Sequence, residues 1–322
     1  MKKIYLVTGC AGFIGFHVTK KLLEQDFYVL GIDNLNNYYS TKLKKKRLDI
    51  LREFTKFNFS KVDMSNFTKL NNVLKKQKFD YIFHFAAQAG VRHSLKKPKD
   101  YLDSNIIGYF NLLEIIKLKK IKHLILASTS SIYGESKKKI FQESDKSDFP
   151  IQFYAATKKT NEVISYSYSH IYNLPITATR FFTVYGPYGR PDMAYYSFTK
   201  KILDNKKIDV FNYGNQMRDF TYIDDVVEAV LKIIFKPPSK KINFYRVLNI
   251  GKGKPDKLFD FIKYLEKYLN KEAKINFIKA QLGDVNYTRA SLKKIKDLIN
   301  YKPKINLDSG IEKFTKWYLK KN

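Results

Sequence analysis

Thr8-Gly9-Cys10-Ala11-Gly12-Phe13-Ile14-Gly15 follows the apolar run at residues 4–7 and opens an amphipathic segment that continues to Gln25. Its glycines recur at relative positions one, four and seven. Gly9 permits a tight turn, Gly12 admits backbone close to a pyrophosphate, and Gly15 lets helix pack against strand. The helix start, with Phe13 and Ile14 in its first turn, presents N–H groups and a partial positive charge to phosphates. A strand, this loop and a helix together predict a dinucleotide-binding βα unit.

The same rhythm extends outward. Residues 3–8, 28–33, 57–62, 81–85, 123–128 and 176–181 read as strands. Helical patterns lie at 13–25, 41–54, 67–76, 98–118 and 154–172. Alternation of this kind predicts an α/β fold with a Rossmann-type doubly wound parallel sheet. After Thr183, Pro, Gly and aromatic residues become denser, as in Gly186-Pro187-Tyr188-Gly189-Arg190-Pro191. A dinucleotide domain is therefore expected over residues 1–182. Residues 183–322 read as a smaller α/β substrate lobe, with the chain returning to the first domain near 215–235.

Asp33 ends the second strand, where a carboxylate accepts hydrogen bonds from a ribose 2′-OH and repels a 2′-phosphate. NAD is thus expected in preference to NADP. Asp63, after the third strand, reads either as an adenine-edge contact or as a loop aspartate. Ala86 lies just past the fourth strand, and His84 at that strand's end reads as a packed core histidine.

Tyr154 and Lys158 stand four apart at a helix start, which puts them on one face. Free tyrosine, at pKa ~10, is a poor base near neutrality. A neighbouring ammonium favours the phenolate and makes Tyr154 a usable general base. Ser128-Thr129-Ser130-Ser131 ends the fifth strand upstream of it, supplying hydroxyls for a shared proton path; a polar strand exit is the alternative. Chance pairs of Tyr and Lys are common in so Tyr- and Lys-rich a chain. Their order after the glycine loop is what carries the reading.

The 322 residues carry 60 Lys+Arg against 30 Asp+Glu, a net charge of +30. Such a field attracts polyanions. Yet only eight of the basic residues are Arg, and the Lys are dispersed among many Asn, Ile, Phe and Tyr, so composition explains the excess and no nucleic acid is expected. The single cysteine, Cys10, fits a reducing compartment. The apolar run before it is too short for a secretory signal, which needs roughly 7–15 residues, and no stretch approaches the ~20 of a membrane span. A cytoplasmic protein without membrane contact is expected. No His, Cys and carboxylate grouping has metal-ligand spacing.

These motifs, with Ala86-Ala87-Gln88-Ala89-Gly90-Val91-Arg92, Arg180-Phe181-Phe182-Thr183-Val184-Tyr185-Gly186-Pro187 and Gly189-Arg190-Pro191-Asp192-Met193-Ala194, resemble the NAD-dependent epimerase/dehydratase group of extended short-chain dehydrogenases nearly end to end. The likeness is closest to UDP-glucuronate 4-epimerases. It implies Tyr154 as base, Lys158 as its partner on the nicotinamide ribose, and Thr129 as the hydroxyl on the reacting sugar oxygen. It also implies Arg218 on the diphosphate and Asp284 on the uridine ribose. The implied reaction takes the C4 proton to Tyr154 as hydride passes to NAD⁺. The 4-keto sugar then turns over, and hydride returns to its other face.

Ser130 and Ser131 stand where sugar dehydratases and decarboxylases of this group carry acids, which leaves plain epimerisation. Thr183 replaces the asparagine usual in UDP-galactose epimerases. With Thr129, Ser130 and Ser131 it is expected to hold the glucuronate carboxylate by neutral hydroxyls. Arg92 and Arg190 are candidates for carboxylate or phosphate, with surface placement the alternative. The rivals are a UDP-glucose or UDP-N-acetylglucosamine 4-epimerase, and a non-catalytic nucleotide-sugar binder. The resemblance further implies a homodimer built on the 98–118 and 154–172 helices, and a product suited to a surface polysaccharide.

Overall fold

The computed structural model describes residues 3–279 and 285–321. The first half runs β1 (Ile4–Thr8), α1 (Phe13–Glu24), β2 (Tyr28–Asp33), α2 (Thr41–Arg52), β3 (Phe57–Lys61), α3 (Phe67–Leu74), β4 (Tyr81–His84), α4 (Val91–Lys96), α5 (Pro98–Tyr101), a π-helical turn (Leu102–Ile107), α6 (Gly108–Ile116), β5 (His123–Thr129), α7 (Phe153–Tyr172) and β6 (Ile176–Phe181). Then come β7 (Thr183–Tyr185), α8 (Ala194–Leu203), β8 (Ile208–Phe211), β9 (Met217–Arg218), β10 (Phe220–Tyr222) and α9 (Ile223–Ile233). The remainder holds β11 (Tyr245–Ile250), β12 (Asp256–Lys257), α10 (Leu258–Leu269), β13 (Ile275–Ile278), α11 (Lys293–Ile299) and α12 (Leu307–Lys321).

Seven strands form one sheet in the order β11-β6-β5-β4-β1-β2-β3. The pairings β1–β2, β1–β4, β2–β3 and β4–β5 are all parallel. Strand order reverses between β1 and β4, and in doubly wound folds ligands bind at the carboxyl ends beside such a reversal. Leu6, Ile32, Ile82 and Leu124 pack with Leu70 and Leu74 of α3 and Leu112, Leu113 and Ile116 of α6. Strands buried on both faces read as continuous apolar runs, which is why their sequences do not alternate.

The chain divides into two compact units. One comprises Met1–Gly134, Lys146–Arg180 and Val227–Leu248; the other comprises Glu135–Asp145, Phe181–Val226 and Asn249–Asn322. Along the chain, a segment that returns to the first unit begins at Val227. The return is anchored in the first unit: β11 joins the sheet edge beside β6, and His123 of β5 donates from Nδ1 to the Ile234 carbonyl at 2.9 Å. The excursion at 135–145 belongs to the second unit because Phe141 exchanges backbone bonds of 2.9 Å with Arg289 and Ser291. The expected 98–118 helix is also broken into three pieces. Its π-helical turn carries Asn105, whose buried amide bonds Gln88 backbone and the Thr157 hydroxyl.

His123 titrates predictably. With Nδ1–H given to a carbonyl, Nε2 must accept, and the Thr177 hydroxyl reaches it at 2.7 Å. Burial, then the nearby Arg246 charge, hold the imidazole neutral and lower its pKa to about 3, against one backbone bond that favours the cation. Between that value and the unfolded-state value of about 6.5, the unfolded chain binds the extra proton, so this residue makes stability fall on acidification by about 1.4 kcal/mol per pH unit. Urea unfolding at several pH values should show a shallower acid slope for His123→Gln; an unaltered slope would contradict this account.

Candidate active site

The turn from β1 into α1 is built as the glycines demand. Gly9 has φ +72°, and a Cβ there would lie 2.6 Å from the Ala86 nitrogen. Gly9 and Ala86, both read as cofactor contacts, are thus brought together at the ends of β1 and β4. Gly12 caps α1 without a side-chain hydrogen bond, and no acidic residue occupies the first turn, where Phe13 and Ile14 stand. That leaves a helix N-terminus suited to an anion.

Asp33 is buried at the end of β2 and tied to the same loop: its Oδ2 accepts from Ala11 N at 3.1 Å and its Oδ1 from Leu35 N at 2.8 Å. Burial pushes its carboxyl up, opposed by the Lys44 ammonium and these N–H groups. Two buried cations on α2 escaped the sequence reading. Arg47 donates to the Ala11 carbonyl at 2.6 Å and to the Tyr39 hydroxyl at 2.7 Å. Lys44 donates to Asn36 through its carbonyl at 2.9 Å and its side chain at 2.7 Å. The signal was present, since Arg47 falls midway between the buried Leu43 and Leu51 on one helix face. Asp63 lies beside this end of the sheet, but its carboxylate is exposed and engaged by Asn34 at 2.8 Å and by Ser65 N and Oγ at 2.9 and 2.7 Å.

Tyr154 is the second residue of α7 and half-buried, with its ring edge-on to Tyr101 at 6.2 Å. Lys158, one turn later, is 1% exposed, and its Nζ has no hydrogen-bond partner among the described residues. Burial lowers its pKa to about 8, with Glu162 acting the other way. A buried ammonium without an acceptor is costly unless a ligand oxygen completes it. Together with the glycine turn and the uncapped helix, it fits a dinucleotide whose ribose hydroxyls supply that acceptor.

Thr129 Oγ1 accepts from Ser131 N and donates to Ser131 Oγ, both at 3.2 Å, with Ser130 starting the short 3-10 turn between them. Ser128 does not join them. Alternation along β5 sends its hydroxyl into the interior, where it donates to Glu162 Oε1 at 2.6 Å. His84 is buried: its Nδ1 is 2.8 Å from Thr8 Oγ1 and its ring stacks on Tyr109 at 4.9 Å. Arg92 sits exposed on α4.

The second unit carries the other candidates. Thr183 opens β7, is half-buried, and gives its N–H to the Asp219 carbonyl at 3.1 Å. Arg190 grips Asp192 with two guanidinium bonds, the Nε one at 3.0 Å. Arg218 lies on β9, opposite Asp256 of β12. Between β9 and β10, the buried Asp219 carboxylate accepts N–H bonds from Lys252 at 2.6 Å, Gly253 at 2.8 Å and Ala290 at 3.0 Å. It thereby fixes the backbone bearing Arg218, a role that sequence reasoning missed. Asp284 lies outside the described residues, as does most of the stretch before it.

A model of the family described as "NAD dependent epimerase/dehydratase family" matches residues 5–251. The chain belongs to the NAD-dependent epimerase/dehydratase family. Protein CapI of Staphylococcus aureus is 45% identical over 98% of both chains. The UDP-glucuronate 4-epimerase of Thermodesulfobacterium geofontis is 44% identical, over 97% of this chain and 95% of its own. Among solved structures, the UDP-glucuronic acid 4-epimerase of Bacillus cereus in complex with UDP-glucuronic acid and NAD superposes with a TM-score of 0.90, at 34% identity over 99% of this chain and 100% of its own. The family-level resemblance in the motifs therefore holds over the whole length, and NAD is the cofactor of this epimerase/dehydratase chain.

Proposed function

We propose that the chain is a UDP-glucuronate 4-epimerase that interconverts UDP-glucuronate and UDP-galacturonate. The observation that carries this reading is the site itself: Thr129, Tyr154 and Lys158 present on a glycine-loop Rossmann unit, with neutral Ser130 and Ser131 where an acid would drive water loss or decarboxylation. The relatives named for this activity support it. Bound NAD supplies the hydride acceptor and donor at C4.

Tyr154 takes the proton of the C4 hydroxyl and returns it to the oxygen after the sugar has turned. Lys158 stabilises the phenolate electrostatically and hydrogen-bonds the ribose next to it. Thr129 orients the C4 oxygen. Gly9, Gly12, Phe13, Ile14 and Gly15 would hold the pyrophosphate of NAD, Asp33 its adenosine ribose, and Asp63 and Ala86 are further candidates for the same cofactor. Arg218 holds the UDP diphosphate, and Arg190 and Arg92 are further cations for phosphate or carboxylate. Asp284 is assigned to the uridine ribose from the family pattern alone.

The 4-keto intermediate of a glucuronate is a β-keto acid prone to lose CO₂. Hydroxyls of Thr129, Ser130, Ser131 and Thr183 hold its carboxylate without protonating it. Replacing Thr183 with Asn should lower kcat/KM for UDP-glucuronate about 10–100-fold, the worth of a hydrogen bond to a charged group. A Thr183→Asn enzyme as efficient as wild type would end this assignment. NMR of the protein incubated separately with UDP-glucuronate, UDP-glucose and UDP-N-acetylglucosamine tests the substrate directly. Turnover of either neutral sugar with none of UDP-glucuronate would reject it.

A homodimer is part of the proposal. Leu102, Ile107 and Phe110 are exposed along the π-helical turn and α6, and Val163 and Tyr166 are exposed on α7, an apolar surface of the kind that marks association sites. No described helix is long and apolar enough to cross a membrane. A cytoplasmic setting, with its supply of nucleotide sugars for a surface polysaccharide, fits the reading.

A further inference from the structure

For Tyr154 to work, Thr129 and Lys158 must be held at fixed positions beside it, yet they lie on separate stretches of backbone at the end of β5 and in α7. The buried carboxylate of Glu162 is where these stretches meet. Glu162 follows Lys158 by one helical turn, on the same buried face of α7. Its Oε1 accepts from Ser128 Oγ at 2.6 Å and from Arg180 Nε at 3.0 Å, and its Oε2 from Arg180 Nη2 at 2.8 Å. Ser128 immediately precedes Thr129, and Arg180 comes from the end of β6. The same guanidinium stacks 4.8 Å over the Tyr133 ring and reaches Ser147 Oγ at 3.4 Å, just ahead of α7.

Stability alone does not account for such an arrangement. Buried ion pairs are often replaceable by apolar residues at no net loss, because desolvation offsets the attraction. What an apolar pair lacks is direction and charge. Here the directed bonds converge from β5, α7, β6 and the segment entering α7. The negative charge lies one turn from an ammonium that has no partner among the described residues.

We propose that Glu162 is a positioning residue: its carboxylate, clamped by Arg180, locks Ser128 and hence Thr129 in register with α7, and its charge keeps Lys158 an ammonium beside Tyr154. This rests on the epimerase reading given above. Glu162 and Arg180 balance each other, so removing the carboxylate alone leaves two uncompensated cations on this face. Three other titratable groups, His84, Tyr109 and Tyr245, lie around the cluster. Burial, then the charge of Lys158, hold His84 on β4 well below its usual range. Burial pushes Tyr109 on α6 above its usual range, against a hydrogen bond from Ser165, and burial, then the Glu162 charge, push Tyr245 on β11 well above its own. The alkaline limb of activity is assigned to loss of the Lys158 proton, on which the Tyr154 phenolate depends.

The test is the pH dependence of kcat and KM for UDP-glucuronate in wild type, Glu162→Gln, the charge-balanced Glu162→Gln/Arg180→Met, and Ser128→Ala. Glu162→Gln should lose about 10–100-fold in kcat, with KM little changed, as expected for misplaced catalytic groups. Its alkaline limb should move down by about one pH unit, and the double variant should move it back. Ser128→Ala keeps the charge and can be read even if Glu162→Gln fails to fold; it should lower kcat about tenfold without moving the limb. A limb unmoved in Glu162→Gln, or full kcat in Ser128→Ala, overturns the proposal. If wild type fails to epimerise any UDP-sugar, the functional reading falls instead, which keeps the two failures distinct.

Discussion

Replacing Tyr154 with phenylalanine is expected to lower kcat for UDP-glucuronate by about 10²–10⁴-fold, the usual contribution of a positioned general base. The effect should be clean. Tyr154 is half-buried and its ring packs edge-on against Tyr101, so phenylalanine keeps the contact and loses only the hydroxyl. NAD carried by the purified protein should stay at the wild-type level, because Lys158 and the glycine turn are untouched. Measuring kcat alongside NAD content separates loss of chemistry from loss of cofactor. Activity within a few-fold of wild type would remove Tyr154 from the mechanism.

Gly15→Ala should be as damaging by another route. A Cβ at residue 15 would stand 2.1 Å from the Gly9 carbonyl oxygen and 2.8 Å from its carbon. Both are backbone atoms, so no side chain can swing aside. The turn between β1 and α1 must open, and with it the close approach the pyrophosphate needs. Overpacking of this kind costs about 1–3 kcal/mol or more. The purified variant should contain little NAD and unfold at a lower temperature. Wild-type NAD content with an unchanged Tm would show that the turn does not hold the cofactor as described.

The first half of the fold was legible because its physics is local. Strands β1, β2, β4 and β5 are buried on both faces and stand out as apolar runs, while glycine spacing marks the turn that starts the pattern. The 98–118 segment looked like one helix because hydrophobic periodicity cannot register the π-helical turn around Asn105. Nor does anything in Tyr245-Arg246-Val247-Leu248-Asn249-Ile250 announce a strand that rejoins the sheet beside β6. Such pairing is settled by distant contacts.

The site divides along the same line. Gly9, Gly12, Gly15, Asp33, Tyr154 and Lys158 follow from the chemistry each position demands. Lys44, Arg47, Glu162, Arg180 and Asp219 did not. Charged residues are assigned to the surface by default, and only the folded geometry shows that these five are buried and act on their neighbours. Ser128 illustrates the converse error: its hydroxyl looked like part of the Thr129 cluster, but strand alternation points it at Glu162.

Epimerisation at C4 makes no net redox change, and retention of an isotope at that carbon reads this out. UDP-glucuronate deuterated at C4 should be converted, without added NAD, to UDP-galacturonate that keeps its deuterium at C4, with no CO₂ released. Release of CO₂ with formation of a UDP-pentose, exchange of the label with solvent, or recovery of unchanged substrate would contradict the account.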